Sequence, residues 1–134
     1  MPNDSLRAFE LSLDKFINET VPADIAKLQK TVALQILTGV VLRTPVDTGR
    51  ARGNWQLTLD APVFDLSNSE IPRNAEGRIT AGAVVLRDIK PFSVTYIQNN
   101  VPYIVALEEG HSKQAPAGMV AVTFAQVEAQ FSQA

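Results

Sequence analysis

Apolar residues at Leu6, Phe9, Leu13, Phe16 and Ile17 recur at three- and four-residue steps between polar neighbours. That stripe predicts an amphipathic helix opening near Asn3 or Asp4 and ending near Thr20. Pro22 suits the first turn of a new helix, and Ile25, Leu28, Val32, Ile36, Leu37, Val40 and Val41 carry a wide apolar face to about Arg43. Thr44-Pro45 stops it, because the residue before a proline is pushed out of the helical region. In Pro45-Val46-Asp47-Thr48-Gly49, proline fixes φ, aspartate bonds nearby backbone and glycine accepts positive φ, which predicts a tight connection.

A period of two follows. Trp55, Leu57 and Leu59 alternate with Asn54, Gln56, Thr58 and Asp60, predicting a strand with one buried face. Residues 61–74 carry prolines at 62 and 72 among scattered polar positions and read as a surface excursion. Ile79, Ala83, Leu86 and Ile89 have helical spacing within 75–88, although Gly77 and Gly82 weaken that helix. Phe92, Val94 and Tyr96 alternate with Ser93, Thr95 and Ile97, predicting a second strand that Asn99-Asn100 ends. The run from Tyr103 to Glu109 fits a strand or one or two helical turns equally. Residues from Gly118 to about Gln130 close the chain as a helix with Met119, Val120, Phe124, Val127 and Phe131 available for packing. The sum is an α+β fold, with N-terminal helices and a C-terminal helix packed on a small antiparallel sheet, in one domain spanning 1–134.

Composition narrows the class. With 134 residues, 46% hydrophobic and 19% charged, the chain has apolar material for one core. The absence of cysteine excludes disulfides, thiolate metal sites and cysteine nucleophiles, and fits a reducing compartment. No run of about 18 apolar residues exists and the N-terminus lacks a basic secretory start, so a soluble, unexported protein is expected. The net charge is −2, which argues against a general nucleic-acid binder, yet residues 27–52 hold Lys27, Lys30, Arg43, Arg50 and Arg52 against Asp47 alone. One basic and one acidic surface could join copies head to tail.

Candidate chemistry is sparse. His111, the only histidine, stands among Glu108, Glu109, Ser112 and Lys113, but a triad is set by geometry rather than by sequence neighbourhood. Gly110-His111-Ser112-Lys113-Gln114 misses the nucleophile elbow, because Gln114 replaces its second glycine. Ser12 and Lys15 match Ser-x-x-Lys without its companion motifs. One histidine, no cysteine and no calcium-type loop give no expected metal site, and no phosphate-cradling glycine loop predicts a cofactor. Arg50 and Arg52 flank Trp55, but alternation places Arg50, Arg52, Asn54 and Gln56 opposite it. Trp55 therefore reads as core, and the arginines face solvent or a partner's carboxylates, for which Glu108 and Glu109 are candidates.

Two segments together, Thr44-Pro45-Val46-Asp47-Thr48-Gly49-Arg50-Ala51-Arg52-Gly53-Asn54-Trp55 and Asn99-Asn100-Val101-Pro102-Tyr103 through Glu108 to Met119, about 45 residues apart, resemble the minor tail or tail-completion proteins at the neck of long-tailed bacteriophages. The resemblance implies a virion structural protein, not an enzyme, with no cofactor, met in the host cytoplasm during assembly and afterwards in the tail and neck. It implies a ring, commonly sixfold, around the DNA channel. Its partners would be copies of itself and other neck and tail proteins (terminator, head-closure or connector), with DNA in the channel as a further contact and no membrane. By that carry-over the subunit interface draws on Asp47, Arg50, Arg52, Asn54, Tyr103, Glu108, Glu109, His111, Ser112, Lys113 and Gln114. A terminator or head-closure ring is the alternative within the structural class; a small hydrolase using His111 and Glu108 is the alternative outside it.

Overall fold

A computed structural model describes residues 4–46, 50–64 and 76–132. Helix α1 (Asp4–Lys15) runs through a π-helical turn (Phe16–Thr20) into α2 (Val21–Arg43), a single rod where the sequence predicted a break near Thr20. The reason lies in Pro22, which lacks an N–H and crowds the preceding turn of a regular helix. A π turn absorbs it: Val21 N–H bonds Phe16 O, one residue further back than in an α-helix, so the rod accommodates the proline. By length and composition this rod is apolar enough to cross a membrane. Ala33, Leu37, Val40 and Val41, however, lie in the protein core.

After α2 come a single turn α3 (Arg50–Gly53), strand β1 (Trp55–Leu59), helix α4 (Glu76–Leu86), strand β2 (Thr95–Asn99), a short helix α5 (Ile104–Glu108) and helix α6 (Val120–Ser132). The strands pair antiparallel, Trp55 opposite Asn99 and Leu59 opposite Thr95, and form a two-stranded sheet. The α+β architecture matches the sequence expectation, and 103–109 resolves as helix. Of the excursion predicted at 61–74, residues 65–74 lie outside the described residues.

Two strand expectations need correction. The second strand begins at Thr95 rather than Phe92, because Phe92 adopts φ 66° in a turn. Gln29 on α2 fixes that turn, its Oε1 accepting from Phe92 N at 2.8 Å and its Nε2 donating to Ser93 O at 2.9 Å. Ile97, opposite Leu57, packs on the core, while Phe92 and Val94 stand exposed. Likewise Arg50 to Gly53 coil into a turn, so the alternation that set Arg50, Arg52 and Asn54 opposite Trp55 does not exist.

The core gathers Leu37, Val40 and Val41 of α2, Trp55 and Leu57 of β1, Leu86 of α4 and Met119 before α6. Burying such side chains contributes about 1.5–3 kcal/mol each. Gly82, read from sequence as a weakness of α4, is its contact point: a Cβ there would come within 2.2 Å of Leu37 Cδ2, so only glycine lets α4 approach α2 so closely.

Candidate assembly surface

The two segments that carry the phage resemblance meet in space. Asn99 sits opposite Trp55 in the sheet, and its amide nitrogen donates to Ala51 O at 2.7 Å. The Trp55 indole N–H donates to Thr44 Oγ1 at 2.6 Å, and that hydroxyl donates to Val40 O at 2.5 Å, all within the buried interior. At the surface, Gln114 Oε1 accepts from Val46 N at 3.0 Å. Between them opens a 420 Å³ groove whose walls include Thr44, Pro45, Arg52, Gln114 and Pro116. One face thus combines residues from both ends of the pattern.

Glu108 holds this face together. Its Oε1 accepts from Met119 N and Val120 N at 2.8 Å each, and its Oε2 accepts from Ala121 N at 3.0 Å. Those donors are the orphan amides at the start of α6, where a carboxylate also meets the positive end of the helix dipole. The carboxylate lies 11 to 13 residues upstream of the amides it caps. The intervening loop must therefore double back, and Gly118 at φ 87° lets it.

Partial burial pulls the Glu108 carboxyl upward, but the three backbone donors outweigh it, and the group titrates below its ordinary 4.5. The folded value is depressed, so the cap's contribution is complete above the ordinary carboxylate range and is lost as pH falls through the folded value. Glu108→Gln is expected to lower stability by about 1 kcal/mol at pH 6, a cap-sized effect discounted for solvent screening. The gap between the two proteins narrows toward pH 3. Urea midpoints at both pH values check this; a gap independent of pH means that the charge is not what stabilises α6.

The remaining interface candidates divide by exposure. Arg50, Tyr103, Glu109, His111, Lys113 and Gln114 are exposed and Ser112 is half-buried, its Oγ accepting from Gln114 N at 3.1 Å. Asn54 is 1% exposed and donates its amide to Arg50 O, which corrects its assignment to an open face. Arg52 reaches back to the end of α2, donating Nη2 to Leu42 O at 3.1 Å and Thr44 O at 3.3 Å. It therefore acts as a C-terminal helix cap, a role missed in the sequence. Asp47 lies outside the described residues.

Asn99, which joins the two segments through Ala51 O, and Thr44, which holds Trp55 to the end of α2, were also missed as functional positions. Nothing in their local sequence separates them from an ordinary helix stop and strand end. Among the described residues no group of three or more His, Asp or Glu side chains is placed to hold a metal ion. Comparison with protein-family models, curated proteins and solved structures finds no match to this chain.

Proposed function

We propose that this chain is a structural protein of the tailed-bacteriophage neck, a tail-completion component that assembles as a ring and joins the tail to the head connector. The observation that carries the reading is that described parts of the two segments are neighbours: Trp55 pairs with Asn99, Asn99 donates to Ala51 O, and Gln114 accepts from Val46 N. Segments that resemble one family only as a pair are more persuasive when they are neighbours in space. The exposed Arg50, Tyr103, Glu109, His111 and Lys113 supply polar groups for specificity, as interface rims do. Glu108 as a hydrolytic base fits poorly, since both its oxygens already accept backbone N–H bonds.

A ring of identical subunits needs two unlike, complementary patches on each copy. Purified chain examined by native mass spectrometry and negative-stain microscopy is expected to give closed rings, sixfold by the resemblance. Lys113→Glu combined with Arg50→Glu is expected to weaken ring formation and make it less sensitive to salt. In a phage carrying the gene, loss of the chain should leave filled heads and finished tails unjoined. A chain that stays monomeric at all concentrations, from a phage whose particles assemble without it, ends this reading.

A further inference from the structure

Every described side chain of α1 is exposed, including the apolar stripe that ought to be buried. Leu6 is 56%, Phe9 62% and Phe16 53% exposed. Among the described residues an apolar groove of 590 Å³ between α2, β2 and α6 lies uncovered, where Leu28, Val32, Ile36, Tyr96 and Phe124 form much of the wall. Leu28 and Phe124 are themselves 52% and 50% exposed.

The stripe cannot reach that groove in its own molecule. Helix Ser5–Arg43 is one rod, and Phe9 stands 23 residues from Val32, about 35 Å along the same axis at 1.5 Å per residue. A second molecule is under no such constraint.

Resting on the ring reading above, we propose that α1 and the first residue of its π turn seat Leu6, Phe9, Leu13 and Phe16 in the α2–β2–α6 groove of a neighbouring copy. The sizes match. An apolar cavity of about 150 Å³ takes one benzene, so 590 Å³ admits three or four leucine or phenylalanine side chains. Leu6, Phe9, Leu13 and Phe16 are 43–62% exposed, so each has apolar surface left to bury in the groove. The contact is heterologous, helix into groove, so each copy keeps a free helix at one end and a free groove at the other until the circle closes.

Charge separates this occupant from a lipid surface. Membrane-bound amphipathic helices carry lysine and arginine on the polar face, whereas residues 4–20 hold Asp4, Glu10, Asp14 and Glu19 against Arg7 and Lys15. An acidic helix is repelled by anionic lipid.

Two full-length variants test the arrangement: Phe9→Asp on the helix and Phe124→Asp on the groove, each checked by circular dichroism for retained helix. Each alone is expected to be monomeric by sedimentation equilibrium where the wild type associates. Mixed, they should form a one-to-one pair and stop, since one intact groove meets one intact helix. In the cysteine-free chain, Leu13→Cys with Leu28→Cys should give a ladder of disulfide-linked oligomers. The two positions are fifteen residues apart on one rod, about 22 Å, too far for a bond within a molecule.

Rings that form unchanged in both single variants overturn the helix-in-groove contact and leave the ring reading standing. A wild type that is monomeric throughout removes both. A monomer with an internal 13–28 disulfide means that α1 folds back on its own chain. Wild type that sediments with phosphatidylglycerol vesicles and loses this with Phe9→Asp means that the stripe serves a membrane; either result overturns the proposal.

Discussion

Gly118→Ala is expected to destabilise the protein by about 2–3 kcal/mol, with a corresponding fall in the urea midpoint. Two costs add. Gly118 has φ 87°, where an L side chain costs roughly 1–2 kcal/mol. A Cβ there would also lie 2.6 Å from both the backbone oxygen and the Oε2 of Glu108, and moving the carboxylate away strips the cap from α6 at about 1 kcal/mol. Gly118→Asn separates the terms, because asparagine tolerates the left-handed region but still brings a Cβ. Its loss should fall between those of wild type and alanine. A change below about 0.5 kcal/mol for alanine is the size of an ordinary surface substitution and would mean that the loop relaxes freely.

Trp55→Ala is expected to cost about 3–5 kcal/mol, the range for emptying a buried aromatic site, against a total stability of about 5–15 kcal/mol for a domain of this kind. Trp55 is 4% exposed, packs with Val40, Leu57 and Met119 in one cluster, and ties the sheet to the end of α2 through Thr44. The polar share can be isolated. Thr44→Val leaves the buried indole N–H without its acceptor, at about 1–3 kcal/mol, whereas Trp55→Phe removes donor and bond together. A double-mutant cycle of these two substitutions should show a coupling of about 0.5–3 kcal/mol. Additive losses would mean that the 2.6 Å contact contributes nothing beyond packing.

Periodicity made α2, β1, α4 and α6 legible. Leu37, Val40, Leu57 and Leu86 face the core, where burial enforces the spacing, while Phe124 of α6, expected to pack, is 50% exposed. Trp55 was read correctly as core for the same reason. Three features escaped because nothing local encodes them. Pro22 signals a helix start, and whether the chain breaks or inserts a π turn depends on what lies on either side. Phe92 belongs to an alternating run, yet the Gln29 side chain, 63 residues earlier, holds it in a turn and shifts the strand. Glu108 was legible as a carboxylate in a polar loop, but its partners are backbone amides that a sequence does not distinguish.

The surface residues follow the same division. Composition singled out the exposed Glu109, His111 and Lys113. Asn54 and Arg52, equally polar, turn inward to satisfy carbonyls because α3 coils where alternation assumed an extended chain. The unpartnered state of the α1 stripe was invisible as well. Amphipathicity states that a face needs cover, not whether its own chain supplies it.

The π turn at Phe16–Thr20 has a geometric consequence for how the arm is aimed. Successive residues of a helix step around its axis by about 100°. The one extra residue in that turn therefore sets the azimuth at which Leu6, Phe9 and Leu13 project relative to the body. A shorter linker would leave the arm's sequence untouched and swing its greasy side about a quarter of a revolution, so a single insertion governs the bearing of that apolar side relative to the body.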